Sequence, residues 1–314
     1  MRQTKRKLRP RTPFRPTGGR GARTTVAALI VRCLKAEGVT TVYLVPGGPI
    51  MPLIEALFLA GGLRVVMAKH EAGAAFMADG HQRVAGGIGV CVTTAGPGAT
   101  NALTAVASSW REGIPILVIS GQPGLSAFGK EPTQDSSCLG VDTVELFRRV
   151  TKQSVLLTSP ERTGDVLRGL IRTALAPKMG PVHLSIPADL LKRQIVGRVF
   201  PPARYRAESR SVDLAAIEEA ARLLVQAKRV VILAGSGVRR SGASKELRAL
   251  AELLGAPVAT SGKAKGIFGE QNPLSLQVFG FAGSPRADEV FFDKETDTIL
   301  VIGSTLGELT SHAW

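Results

Sequence analysis

Cysteine, histidine and the large aromatics are scarce in this 314-residue chain, which has three Cys, four His, two Trp and two Tyr. Cys33, Cys91 and Cys138 are odd in number and far apart, so they imply neither a disulfide framework nor a zinc knuckle and read as reduced structural thiols. No apolar run approaches the ~20 residues that cross a bilayer, and the amino end lacks the apolar core of a secretory signal. The expected location is the cytoplasm, with no membrane partner. Acid is the scarcer charge: 25 Asp and Glu stand against 40 Lys and Arg, a net charge of +15.

Such an excess suggests nucleic acid until its distribution is read. Residues 1–23 hold nine Lys or Arg and no acid, which leaves +6 for residues 24–314. The same segment is rich in Pro and Gly and lacks apolar periodicity, so it reads as a basic disordered extension. A nucleic-acid-binding arm, a targeting peptide or translation from an upstream start would each account for it. No aromatic or base-reading element accompanies the charge, so nucleic acid is the least favoured partner.

What is present is an alternation of helices and strands. Val26, Leu29, Ile30, Cys33 and Leu34 recur at helical spacing over 24–37, and Gly38 ends the run. "TVYLV", "LRVVMA", "GIGVCVTT", "IPILVIS" and "PVHLSI" read as strands, with helices between most of them, one opened by Glu71. Continuous apolar runs suit strands covered on both faces, as in a parallel sheet. Residues 24–187 therefore read as a doubly wound α/β domain with a loop over 121–142. Residues 188–210, rich in Arg and Pro, read as a linker. Residues 211–314 show a second, Rossmann-like α/β unit with strands in "RVVILAGSG", "PVAT" and "DTILVIGSTLGE", and it reads as incomplete.

Two glycine-rich turns are candidates for a cofactor. "GSGVRRSG" follows a strand, but Arg240 stands where a dinucleotide fingerprint has its third glycine, and no acidic residue is placed about 20 positions on. NAD is disfavoured, and a passive flavin or adenine nucleotide stays open. "TTAGPGATN" joins a strand to a helix with Pro97 between two glycines; alone it reads equally well as a turn capped by Thr100 or Asn101. Its company changes the balance. "VPGG" at 45–48, "KHEAGAAFMADG" at 69–80 and "ISGQ" at 119–122 also lie at carboxyl ends of strands, where open α/β sheets bind ligands. By itself Glu71 would be a carboxylate stabilising a first helical turn by ~0.3–1 kcal/mol. His70 and His81 have no metal-ligand spacing and read as structural.

These four segments, in this order and spacing, resemble the pyrimidine-binding domain of thiamine-diphosphate enzymes of the acetolactate synthase family, from about Thr24 to Asp189. A weaker likeness extends through "DTILVIGSTLGELTSHAW". The resemblance implies thiamine diphosphate as cofactor, with Glu71 hydrogen-bonded to its pyrimidine ring. A carboxylic group that delivers a proton to the ring nitrogen drives the tautomeric shift by which the cofactor's amino group becomes a base. Pro46, Gly47, Gly48, Thr94, Pro97 and Asn101 would border the ring, Gln122 would face the reacting centre with Glu71, and Gln134 would meet the substrate. Thr133 replaces the Phe that usually precedes Gln134, so the identity of the 2-oxo acid stays open. Thr94 is small where simple decarboxylases of the family carry a histidine, which favours carboligation.

That family holds the diphosphate and Mg²⁺ on a third domain, through Gly-Asp-Gly followed at a distance by Asn. No such segment occurs here, and "ADG" at 78–80 falls within the Glu71 helix, so no residue is assigned to the metal. FAD is a further cofactor that the second unit leaves open. The expectation is a homodimer or tetramer, or a partner chain carrying the diphosphate domain, with the active site shared between subunits. The chain then reads as an N-terminal portion of a 2-oxo acid carboligase. A decarboxylase fragment and a non-catalytic assembly module are the alternatives.

Overall fold

The computed structural model describes residues 21–206 and 212–313. The chain divides into two compact units, 1–208 and 209–314.

The first unit opens with β1 (Ala22–Thr25) and α1 (Val26–Ala36), where the Thr25 hydroxyl caps the helix by accepting from Ala28 N at 3.1 Å. Then follow β2 (Thr41–Leu44), α2 (Met51–Ala60), β3 (Arg64–Met67), α3 (Glu71–Ala85) and β4 (Gly89–Thr93). Next are α4 (Pro97–Asn101), α5 (Leu103–Glu112), β5 (Ile116–Gln122), α6 (Thr143–Arg148), β6 (Gln153–Leu156), α7 (Thr163–Leu175) and β7 (Val182–Pro187). The strands β3-β2-β4-β5-β7-β6 form one parallel sheet in that order. Along β5, Leu117 and Ile119 join the core under α1, α2 and α7, whereas Ile116 and Val118 join the one under α3, α5 and α6. A strand buried on both faces has no polar alternation to show, which is why IPILVIS is uniformly apolar. The small residues of α3 have a packing role: Ala74, Ala75 and Ala78 are fully buried, and a Cβ on Gly89 would lie 2.9 Å from the Ala78 carbonyl carbon.

Two boundaries differ from the expectation. Residues 22–25 of the extension expected over 1–23 and its border form β1, while residues 1–20 lie outside the described residues. The 188–210 stretch is not simply a linker, because α8 (Ala188–Leu191) and β8 (Gln194–Gly197) lie within it. β1 and β8 pair antiparallel, Ala22 with Gly197. Each strand is four residues long and its partner is about 170 positions away, so neither leaves a periodic signal. The 121–142 loop is followed directly by α6 and β6, two further short elements absent from the sequence reading.

The second unit contains α9 (Leu214–Gln226), β9 (Val230–Ala234), α10 (Ser236–Ser241), α11 (Ser244–Leu254) and β10 (Val258–Thr260). It continues through β11 (Ser275–Val278), α12 (Pro285–Phe291) and β12 (Thr298–Ile302), in a parallel sheet ordered β11-β10-β9-β12. β11 is a strand that the sequence reading did not place. The glycines of GSGVRRSG are demanded by packing: a Cβ on Gly235 would lie 2.5 Å from Ser304 Cα, and one on Gly237 would lie 2.6 Å from Gly303 Cα. Close backbone approach alone therefore accounts for both. Among the described residues no helix is long and apolar enough to cross a membrane.

Candidate active site

The sheet order places a topological switch point between β2 and β4, because β3 lies to one side of β2 and β4 to the other. Ligands of open α/β sheets bind outside the carboxyl ends of strands at such a point. Here the turns after these two strands touch. A Cβ on Gly47 would fall on the Cβ and Oγ1 of Thr94, and one on Gly98 would lie 2.6 Å from Thr94 Cγ2 and 3.3 Å from Glu71 Oε1. Glycine at 47 and 98 is thus the condition for the three turns to meet.

Glu71 is the first residue of α3. His70 is the N-cap, with Nδ1 accepting from Ala72 N at 3.1 Å, so this histidine orients the helix that carries Glu71. Glu71 is buried, with 8% exposure. Its Oε2 accepts from Asn101 Nδ2 at 3.0 Å. Asn101 ends α4, whose first residue is Pro97, where a missing N–H costs nothing. Neither Thr100 nor Asn101 caps that helix; its N-cap is Gly96, and the Thr100 hydroxyl donates to Pro97 O at 3.2 Å. Cys91 lies beneath, its thiol pushed up to about 12 by burial and then by the Glu71 charge.

Pro46, Gly48, Pro97 and Asn101 are exposed on this edge, with Gly47 and Thr94 half-buried behind them. Gln122, the last residue of β5, is 1% exposed. Its Nε2 donates to Ser136 O at 2.6 Å, whereas its Oε1 is buried without a hydrogen-bond partner, as is Thr94 Oγ1. Gln134 is exposed and has a left-handed backbone (φ 58°). Its Cα would lie 3.3 Å from a Cβ on Gly96, so the 121–142 loop folds back onto the same turn. All the sequence-derived site residues therefore gather on one edge of the sheet.

Other features were not read from the sequence. Ser136, fully buried, receives Gly96 N–H on its hydroxyl at 3.2 Å. Beside Gly48 a cavity of about 500 Å³ opens between Met51, Pro52 and Glu55 of α2 and Ala188, Asp189 and Lys192 of the α8 region; Glu71 does not line it. The only hint of it was that the chain passes the carboxyl end of β7. His81 is held by Tyr43 Oη at 3.1 Å, away from this edge. Asp79 of "ADG" is buried, bound to Arg83 Nε at 2.5 Å and Ser109 Oγ at 2.7 Å. Cys33 and Cys91 are buried and free, and Cys138 is exposed and free. Among the described residues no group of three or more His, Cys, Asp or Glu is arranged to hold a metal ion.

A buried, amide-held carboxylate between glycine-cleared turns at a parallel-sheet switch point is placed where open α/β domains bind their ligands. Residues 24–145 match the family described as thiamine pyrophosphate enzyme, N-terminal TPP binding domain, and residues 217–314 match its central domain. The chain belongs to the thiamine pyrophosphate enzyme family. It is similar to the probable acetolactate synthase large subunit of Methanocaldococcus jannaschii, at 36% identity over 283 residues, covering 88% of this chain and 46% of that protein. It is 33% identical over 286 residues to the acetolactate synthase large subunit of Corynebacterium glutamicum, covering 90% and 44%. The corresponding subunit of Buchnera aphidicola is 31% identical over 290 residues, covering 91% and 50%. The chain spans about half the length of these relatives.

Proposed function

We propose that this chain supplies the pyrimidine-binding half of a thiamine-diphosphate site for carboligation of 2-oxo acids, as the relatives' names suggest. The observation that carries the reading is Glu71, buried at the switch point and fixed by Asn101. The residues present fit the cofactor: Gly47 and Gly98 leave out the side chains that would close the edge, and Thr94 Oγ1 and Gln122 Oε1 are buried polar atoms awaiting partners. When bound, thiamine diphosphate supplies a nucleophilic carbon that adds to a 2-oxo acid and accommodates the electron pair left by loss of CO₂.

In this reading Glu71 holds a proton at the pyrimidine nitrogen, and Asn101 keeps the carboxyl group turned toward it. Pro46, Gly47, Gly48, Thr94 and Pro97 border the ring, and the tight Gly47–Thr94 packing keeps that wall rigid. Gln122 faces the reacting side with its buried Oε1 as a free acceptor, and Gln134 orients the 2-oxo acid. The Mg²⁺ and diphosphate ligands come from a polypeptide outside these residues, in a homo-oligomer or a partner chain. FAD on the second unit would be a bound flavin with no part in these steps. Thr94 favours carbon–carbon bond formation over simple decarboxylation, since its hydroxyl titrates far above neutral pH and cannot shuttle a proton as histidine does.

The test combines the chain with the remaining half of the Methanocaldococcus jannaschii relative, thiamine diphosphate, Mg²⁺ and pyruvate. Release of CO₂ with a ligated product is expected, abolished by Glu71→Gln. CO₂ with only the aldehyde would instead establish the decarboxylase reading. No turnover from a complex shown to bind the cofactor would leave an assembly module.

A further inference from the structure

Ser136 joins Gln122, the Gly96 turn and Gln134 of the proposed site to Thr143 at the start of α6. Its carbonyl oxygen accepts from Gln122 Nε2 at 2.6 Å and from Thr143 Oγ1 at 3.2 Å. Its hydroxyl accepts from Gly96 N at 3.2 Å and donates to Gln134 O at 3.3 Å. The residue is 0% exposed, so these bonds are made without competition from water. We propose that Ser136 is a positioning residue that locks the Gln122 amide in one orientation and clamps the Gly96 turn against the Gln134 loop.

The orientation of the amide follows from the partner. A carbonyl oxygen only accepts, so the Gln122 atom 2.6 Å from it is the nitrogen; the flipped amide would set two oxygens against each other. Gln122 Oε1 is left as a buried acceptor with no partner in the chain. Burying an unpaired acceptor is unfavourable, a cost that a donor on a bound ligand removes. The lock thus commits this point of the site to a ligand hydroxyl or amino group. An ionised 2-oxo acid carries no such donor, which assigns the contact to the cofactor's amino group or to a hydroxyl that forms during ligation.

The clamp has a second use. Gln134 is a non-glycine residue in the left-handed region, and Gly96 faces it there with φ 55°. Left-handed backbone at such a residue persists only where its surroundings fix it. The Ser136 hydroxyl bridges the two, holding Gly96 N–H on one side and the Gln134 carbonyl on the other. Through Gly96 it sets the start of α4, and through α4 the position of Asn101 against Glu71. Cys138, two residues further on and exposed, makes no such bridge.

This assignment rests on the reading that the edge receives thiamine diphosphate, so its test has one readout that needs no ligand. Amide exchange followed by NMR on the full chain should show Gly96 protected, and Ser136→Ala should speed its exchange at least about tenfold while Val118 and Ile119 stay unchanged. Unchanged Gly96 exchange overturns the clamp. The second readout is NMR titration with thiamine diphosphate, which reads weak affinities. Gln122→Met, which removes the locked amide, should weaken binding about tenfold; Ser136→Ala, which keeps the carbonyl and removes only the clamping hydroxyl, should weaken it by a smaller factor; and Cys138→Ala should leave it unaltered. Wild-type affinity in the first two variants overturns the positioning role. If the wild-type chain shows no binding even when combined with Mg²⁺ and the remaining half of the Methanocaldococcus jannaschii relative, the functional reading falls, and Gly96 exchange still decides the clamp.

Discussion

Asn101 Nδ2 lies 3.0 Å from Glu71 Oε2, joining the last residue of α4 to the first residue of α3 across 30 positions of chain. The contact exists because β2, β4 and their turns meet at the switch point, with no side chain on Gly47 or Gly98 to hold them apart. It leaves the carboxyl group with a fixed direction and one oxygen committed.

Replacing Glu71 with Gln keeps the size and removes the proton. In the assembled holoenzyme kcat should fall by about 10²–10⁴-fold, with a smaller change in cofactor affinity. Asn101→Ala should produce a milder loss, since it frees the carboxyl group without removing it. Steady-state kinetics on both variants checks this, and a Glu71→Gln enzyme with near-normal turnover would remove the proposed role.

Gly47→Ala puts a methyl group onto Thr94, whose Cβ cannot move without β4. Overpacking of this kind costs about 1–3 kcal/mol. Thermal unfolding should show the loss, and Thr94→Gly in the same chain should recover part of it, a non-additive pair expected of residues in contact.

His183 is fully buried between Ser120 and Ser154, with each ring nitrogen 2.8 Å from a hydroxyl and Phe147 stacked at 4.0 Å. Burial pushes its pKa down from the ordinary 6.5 to about 3. Below pH 6.5 the unfolded chain takes up a proton that the folded chain refuses, so this group withdraws stability as the pH falls from about 6.5 toward about 3. His183→Gln should be less stable near neutrality and should show a shallower fall with acid. Melting curves of both proteins between pH 7 and 4 make the comparison; parallel pH profiles would contradict it.

In the second unit, Gly235→Ala would drive a methyl into the Gly303–Ser304 backbone. Because that cost arises from packing, the destabilisation should appear with no nucleotide present and should exceed that of Gly262→Ala, where open space surrounds the added carbon. Equal melting temperatures for the two variants would return the glycine turn to a purely ligand-binding explanation.

Much of this is legible in the sequence. The long central strands announced themselves because burial on both faces forces a continuous apolar run, as in Ile116–Gln122. Pro97, Asn101 and Gln122 were readable because each closes or follows such a strand, and Glu71 because it opens the helix after the edge strand β3. β1 and β8 were not, since four residues carry too little pattern to declare a strand whose partner is remote, and β11, also four residues long with Ser275 and Gln277 among them, breaks the apolar run that marks a strand. Ser136 was hidden for a related reason: a serine in a loop has no periodicity, and its value comes from the atoms of Gly96, Gln122, Gln134 and Thr143 around it.

The sequence by itself determined the doubly wound α/β class, the four turns at strand ends and the kinship that they signal, because apolar period and glycine placement are local properties of the chain. Only the tertiary structure decided which turns touch, that Thr94 is why position 47 is glycine, that Asn101 rather than a helix cap is the partner of Glu71, and that Ser136 holds the edge together. Most of those contacts join separate turns and loops of the chain, fixed by strand order and close packing, and no local pattern encodes them.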